Sequence, residues 1–80
     1  MSLTKVVAQN LRAIRARQNL SQPVVAKGAR LSVSYISMLE RGDRSPPLET
    51  IEVLAKALGV SPLHLFQKPS SARPRRRGRQ

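Results

Sequence analysis

Eighty residues without a cysteine make one compact core, with no enzyme-sized cleft between lobes, no disulfide and no thiolate metal site; a single domain in a reducing, cytoplasmic compartment is expected. The formal charge of +11 is concentrated: six basic residues and no acid lie from Lys68 onward, while the first 67 residues hold nine basic and four acidic ones. This balance favours a polyanion, and nucleic acid is preferred to a membrane surface because no apolar run approaches the roughly 18 residues of a span and no Trp/Phe-lined, Lys-rich amphipathic helix is present.

Leu3 to Gln18 places Val7, Leu11, Ile14 and Gln18 at helical spacing, with Thr4 available as N-cap, so it reads as an amphipathic first helix. Lys5 and Arg12 point away from the stripe. Arg15 lies on its flank, one turn beyond Leu11, and a charge bordering a core requires a buried partner. After the connection Asn19 to Ser21, Ser21 caps a second helix that tolerates Pro23 in its first turn and turns Val25, Ala26 and Ala29 inward. Gly28 costs roughly 1 kcal/mol relative to Ala there, so this helix must be short and held by packing.

Arg30 and Leu31 form a turn, Ser32 caps a third helix and Gly42 stops it. With Ile36 at the centre of the inner face, Leu39 and Glu40 fall beside it, and Ser34, Ser37, Met38 and Arg41 fall on the far side; Val33 stands in the exposed first turn. Glu40, the one inward acid, and Arg15, the one base on an inward flank, are expected to form a structural ion pair. Leu48, Ile51, Leu54, Ala55 and Leu58 define a fourth helix closed by Gly59, and Ser61 and Pro62 open a short fifth helix whose Leu65 reaches the core. Leu63, Phe66 and Val53 have no evident inner position, and Leu63 and Phe66 are candidates for a dimer interface. The run PSSARPRRRGRQ after Lys68 lacks periodicity and reads as a disordered basic arm, so the domain is assigned to residues 1–67 and the arm to 68–80.

The short or apolar side chains Val33, Ser34, Ser37 and Met38 suit thymine methyls and close groove approach, where a solvated face would carry Lys and Glu. Arg41 and Arg44, at and beyond the carboxyl end of the third helix, suit phosphates. His64 stands alone and the acids are dispersed, so no metal site, cofactor or acid–base pair is expected, and enzyme function is not.

Residues 11–66 resemble the Xre-type helix-turn-helix family of phage repressor and Cro proteins and restriction-modification controller proteins. The resemblance rests on Leu11, Arg15, Ser21, Gln22, Ala26, Ser32, YIS at Tyr35 to Ser37, LERG at Leu39 to Gly42, Pro46, LET at Leu48 to Thr50, LAKALGVS at Leu54 to Ser61, and Leu65. It implies an all-α, five-helix domain in which the second helix bridges the DNA backbone and the third lies in the major groove. Gln22 matches the family position that bonds a phosphate and props the start of the recognition helix. Ser32, Tyr35, Arg41 and Arg44 join Gln22 as implied backbone contacts, Val33, Ser34, Ser37 and Met38 fall where the family reads bases, and Arg15 and Glu40 match a family ion pair.

The chain departs from the family pattern at Arg30, which occupies the turn position usually held by Gly, and at Pro23 and Val24, which replace an acidic pair; Pro47, Leu63 and His64 replace commoner polar residues. The reading is a sequence-specific regulator of transcription that binds double-stranded DNA as a homodimer. An antitoxin or adaptor module on the same fold is the alternative, and RNA binding a further one, although Tyr35 and Phe66 are the only aromatics available for stacking. Arg77, Gly78 and Arg79 are similar to a minor-groove hook, but a non-specific electrostatic arm is the preferred reading.

Overall fold

The computed structural model describes residues 2–68, so the expected arm lies outside the described residues apart from Lys68. Four α-helices form: α1 Leu3–Arg17, α2 Gln22–Ala29, α3 Val33–Arg41 and α4 Leu48–Leu58. The expected fifth helix is instead one turn of 3-10 helix, Pro62–Leu65. Ser61 closes it with two short-range bonds, its hydroxyl accepting from the Leu63 N–H at 3.3 Å and its carbonyl from the His64 N–H at 2.9 Å. Only Leu65 of this turn is buried, and four residues with one buried anchor cannot offset the entropy of a longer α-helix.

Local chemistry sets the boundaries. Ser21 and Ser32 each cap a helix by accepting a backbone N–H three residues on, from Val24 at 3.3 Å and Tyr35 at 3.0 Å. α1 begins earlier than a cap at Thr4 would place it, because the Ser2 hydroxyl accepts from the Lys5 N–H at 3.2 Å. Thr4 lies within the helix and shares a 3.0 Å hydrogen bond with the Ser45 hydroxyl, tying α1 to the α3–α4 loop. Gly42 ends α3 at φ +77°, a left-handed conformation that favours glycine whatever the space around it; a Cβ would meet only the flexible end of the Lys5 side chain, at 3.0 Å.

The core is one cluster drawn from every element, with Leu11, Ile36, Leu39, Leu54, Leu65 and Val25 fully enclosed. α1 packs on α3, α2 packs on α3 and α4, and the 3-10 turn closes against α1 and α4. Gly28 is explained by proximity: a Cβ would lie 3.3 Å from that of Ala57, so α2 and α4 approach more closely than an alanine pair comfortably allows. Two residues leave the expected pattern. Leu48, assigned to the inner stripe, is 73% exposed at the first position of α4, whereas Phe66, expected to be left over, is half-buried against the core. Beyond the 3-10 turn, Phe66 shares one apolar concavity with Leu3, Val7 and Ile51.

A second clamp was not legible in the sequence. Asn10 is buried on α1, and its amide nitrogen donates to the carbonyls of Leu65 at 2.9 Å and Gln67 at 2.6 Å. One side chain thereby satisfies two carbonyls at the carboxyl end of the described chain and holds the 3-10 turn to α1.

Candidate nucleic-acid interface

α2 and α3 are joined by Arg30, Leu31 and Ser32. Arg30 takes the left-handed conformation at φ 60°, which costs a non-glycine residue roughly 1–2 kcal/mol. Its N–H still reaches the Lys27 carbonyl at 3.2 Å, and the Leu31 N–H bonds the Ala26 carbonyl at 2.8 Å, so the turn closes as a regular helix end although glycine is absent. Leu31 packs against the core.

The inner side of α3 is locked at its carboxyl end by Glu40. Its side chain is only 5% exposed, and both carboxylate oxygens accept from Arg15, Oε2 from Nε at 2.6 Å and Oε1 from Nη2 at 2.9 Å. Oε1 also accepts from Gln22 Nε2 at 3.0 Å, Arg15 Nη1 donates to the Leu20 carbonyl at 2.9 Å, and Arg12 donates to the backbone carbonyl of Glu40. Burial pushes the Glu40 carboxyl up, but the hydrogen bonds from Arg15 and Gln22 and the charges of Arg15 and Arg12 outweigh it, leaving the group below the ordinary glutamate range. The bond to Glu40 correspondingly raises Arg15 against the opposing effect of burial. This network joins α1, the α1–α2 connection, the start of α2 and the end of α3.

Gln22 makes a contact the sequence did not suggest: besides lining the outer concavity with Val33, it donates its amide to Glu40 in the last turn of α3, because a carboxylate this buried has oxygen capacity that Arg15 alone does not fill. Arg12 is exposed, off the apolar stripe as expected, and its guanidinium nevertheless reaches the Glu40 carbonyl. Neither contact has a local signal, since each partner lies 18 or more residues away.

The outer side of α3 is open. Val33 and Ser34 are exposed, Ser37 and Met38 half-exposed, and together with Gln22 and Arg41 they line one shallow concavity that contains no carboxylate. Arg41 belongs to this wall: its side chain folds back along the helix, Nη1 donating to the Ser37 hydroxyl at 2.6 Å and Nε to Asp43 Oδ2 at 2.8 Å. Arg44 is exposed in the following loop, outside the concavity. Ser32 is exposed, with its oxygen capping α3 while its O–H can donate elsewhere, and Tyr35 is half-buried against the core. Leu63 is 70% exposed.

Among the described residues, no group of three or more His, Cys, Asp or Glu side chains comes together to hold a metal ion, and no helix is long and apolar enough to cross a membrane.

Residues 11–65 match the family model HTH_3, helix-turn-helix. The chain is 40% identical over 65 residues to the uncharacterized HTH-type transcriptional regulator y4dJ of Sinorhizobium fredii, covering 81% of this chain and 84% of that protein. It is 45% identical over 59 residues to the control protein C.BamHI of Bacillus amyloliquefaciens, covering 72% and 73%. Among solved structures it is similar to the restriction-modification controller protein C.AhdI of Aeromonas hydrophila, with a TM-score of 0.76 and 38% identity over 79% of this chain and 96% of that one.

Proposed function

Because the chain belongs to the helix-turn-helix family of DNA-binding transcriptional regulators, we propose that it reads the major groove with the outer face of α3 and does so as a symmetric dimer. The observation that carries this reading is the carboxylate-free concavity of Gln22, Val33, Ser34, Ser37, Met38 and Arg41 on the open side of a helix whose other side is fixed by Glu40. Val33, Ser34, Ser37 and Met38 contact base edges. The Ser32 O–H, Tyr35, Arg44 and the start of α2 around Gln22 serve the sugar–phosphate backbone.

Selection of bound duplexes from a randomised library tests the assignment of the face. Ser34→Ala and Met38→Ala are each expected to change preference at one or two base pairs, by about 1–3 kcal/mol for each base pair affected. Selected sequences identical to wild type for both variants would remove α3's outer face from base reading.

The dimer places a second copy against Leu63 and Phe66, with the exposed Leu3 and Leu48 around the same apolar concavity as Phe66. Two α3 helices then lie about one turn of DNA apart, roughly 34 Å. The arm 68–80 adds affinity through counterion release and little sequence choice. Truncation after Gln67 should weaken operator and random DNA alike, with the logarithmic salt slope falling by about 0.9 for each phosphate the arm no longer neutralises. Selective weakening on sites flanked by A·T tracts would instead assign the arginines to a narrow minor groove.

A further inference from the structure

Arg41 is the last residue of α3, yet its guanidinium lies one turn back, at the level of Ser37. Helical side chains cover the turn preceding their own Cα, so a residue at the end of the helix acts near its middle. The structure also shows what holds it. The N–H of Gly42 bonds the Leu39 carbonyl at 3.1 Å and that of Asp43 bonds the Met38 carbonyl at 3.0 Å, the paired bonds of a Schellman helix end. They fix the Asp43 backbone against α3, and its carboxylate accepts from Arg41 Nε.

This ion pair has side chains 58% and 52% exposed, so it contributes little to stability. Its effect is orientation. Nε is occupied by Asp43 and one Nη1 hydrogen by Ser37, which leaves three N–H groups, one on Nη1 and two on Nη2, for an external acceptor. A planar guanidinium with its stem held by a carboxylate and its Nη atoms presented into a groove-facing concavity matches the O6 and N7 acceptors of guanine. A phosphate can also take two parallel N–H donors, but the Nη atoms lie at the level of Ser37 in the concavity that Val33, Ser34 and Met38 also line, beside the side chains assigned to base edges.

We propose that Arg41 reads a guanine in the major groove, with Asp43 as the positioning residue that aims it. The inference rests on α3 being the groove helix. It adds Arg41 to the base-reading set and makes Asp43, an acid beside a DNA-binding surface, a specificity element rather than stray repulsion.

Selection from a randomised duplex library with wild type, Arg41→Ala, Arg41→Lys and Asp43→Ala tests it. Wild type should select guanine at one fixed position of each half-site. Both Arg41 variants should lose that preference while keeping the others, Lys failing because it lacks the planar fork. Asp43→Ala should reduce the guanine preference about tenfold, yet bind random duplex as well as or better than wild type because a negative charge has gone. Uniformly weaker binding of Arg41→Ala with unchanged preferences and a shallower salt slope would make Arg41 a phosphate contact and overturn the proposal. If Ser34→Ala and Met38→Ala shift preferences while the Arg41 variants do not, this proposal fails alone; if wild type selects no sequence, the reading of α3 fails with it.

Discussion

Glu40→Ala is expected to lower the free energy of unfolding by about 3 kcal/mol, read as a reduced urea midpoint at unchanged slope. The magnitude follows from what the substitution strands. Arg15, with a side chain only 22% exposed, would lose both of its carboxylate acceptors and keep the Leu20 carbonyl, and the Gln22 amide would lose its partner. Replacing both Arg15 and Glu40 by leucine should cost less than removing Glu40 alone, since no charge is then left unpaired. A Glu40→Ala midpoint equal to wild type would show that the network does not stabilise the fold.

The same pair sets an acid limb. The folded Glu40 carboxyl lies below its ordinary value, so its stabilisation is complete above the unfolded pKa of about 4.3 and is lost as the pH falls from there through the folded value. Glu40→Gln should flatten that part of the stability profile without steepening any other. DNA binding by these variants should fall only as far as folding does, because Glu40 faces away from the concavity that carries Ser34 and Met38.

Leu63→Glu combined with Leu48→Glu is expected to give a monomer in sedimentation and to weaken binding to a two-half-site operator by about 100-fold or more, while affinity for a single half-site is retained. Two recognition modules on one partner bind the second half-site intramolecularly, and the weakening reflects that effective concentration rather than any interaction with DNA. Leu63 and Leu48 suit the experiment because they are 70% and 73% exposed and lie outside the core cluster. Phe66 is less suitable: it is half-buried against the core, so a charge there would confuse dimerisation with folding. A wild-type chain that sediments as a monomer at tens of micromolar would assign the leucines to another protein partner.

The sequence by itself determined the helix order, because the signals involved are local. Ser21, Ser32, Gly42 and Gly59 act within one turn of the backbone they cap, and the spacing of Leu11 and Ile14, or of Ile36 and Leu39, requires no knowledge of the rest of the chain. The Arg15 and Glu40 pairing was legible for a related reason: each was the one charge on an otherwise apolar inner surface. Only the tertiary structure decided that Gln22 and Arg12 complete the Glu40 network, that Asn10 holds two carbonyls more than 50 residues away, and that Phe66 turns inward while Leu48 turns out. Periodicity says which face of a helix is apolar, but not which donor from another helix reaches a given oxygen, nor where the core ends. The direction of Arg41 belongs to the same class: its place in the sequence fits a phosphate contact, and the Schellman turn that aims Asp43 at its Nε is what sets its guanidinium beside Ser37.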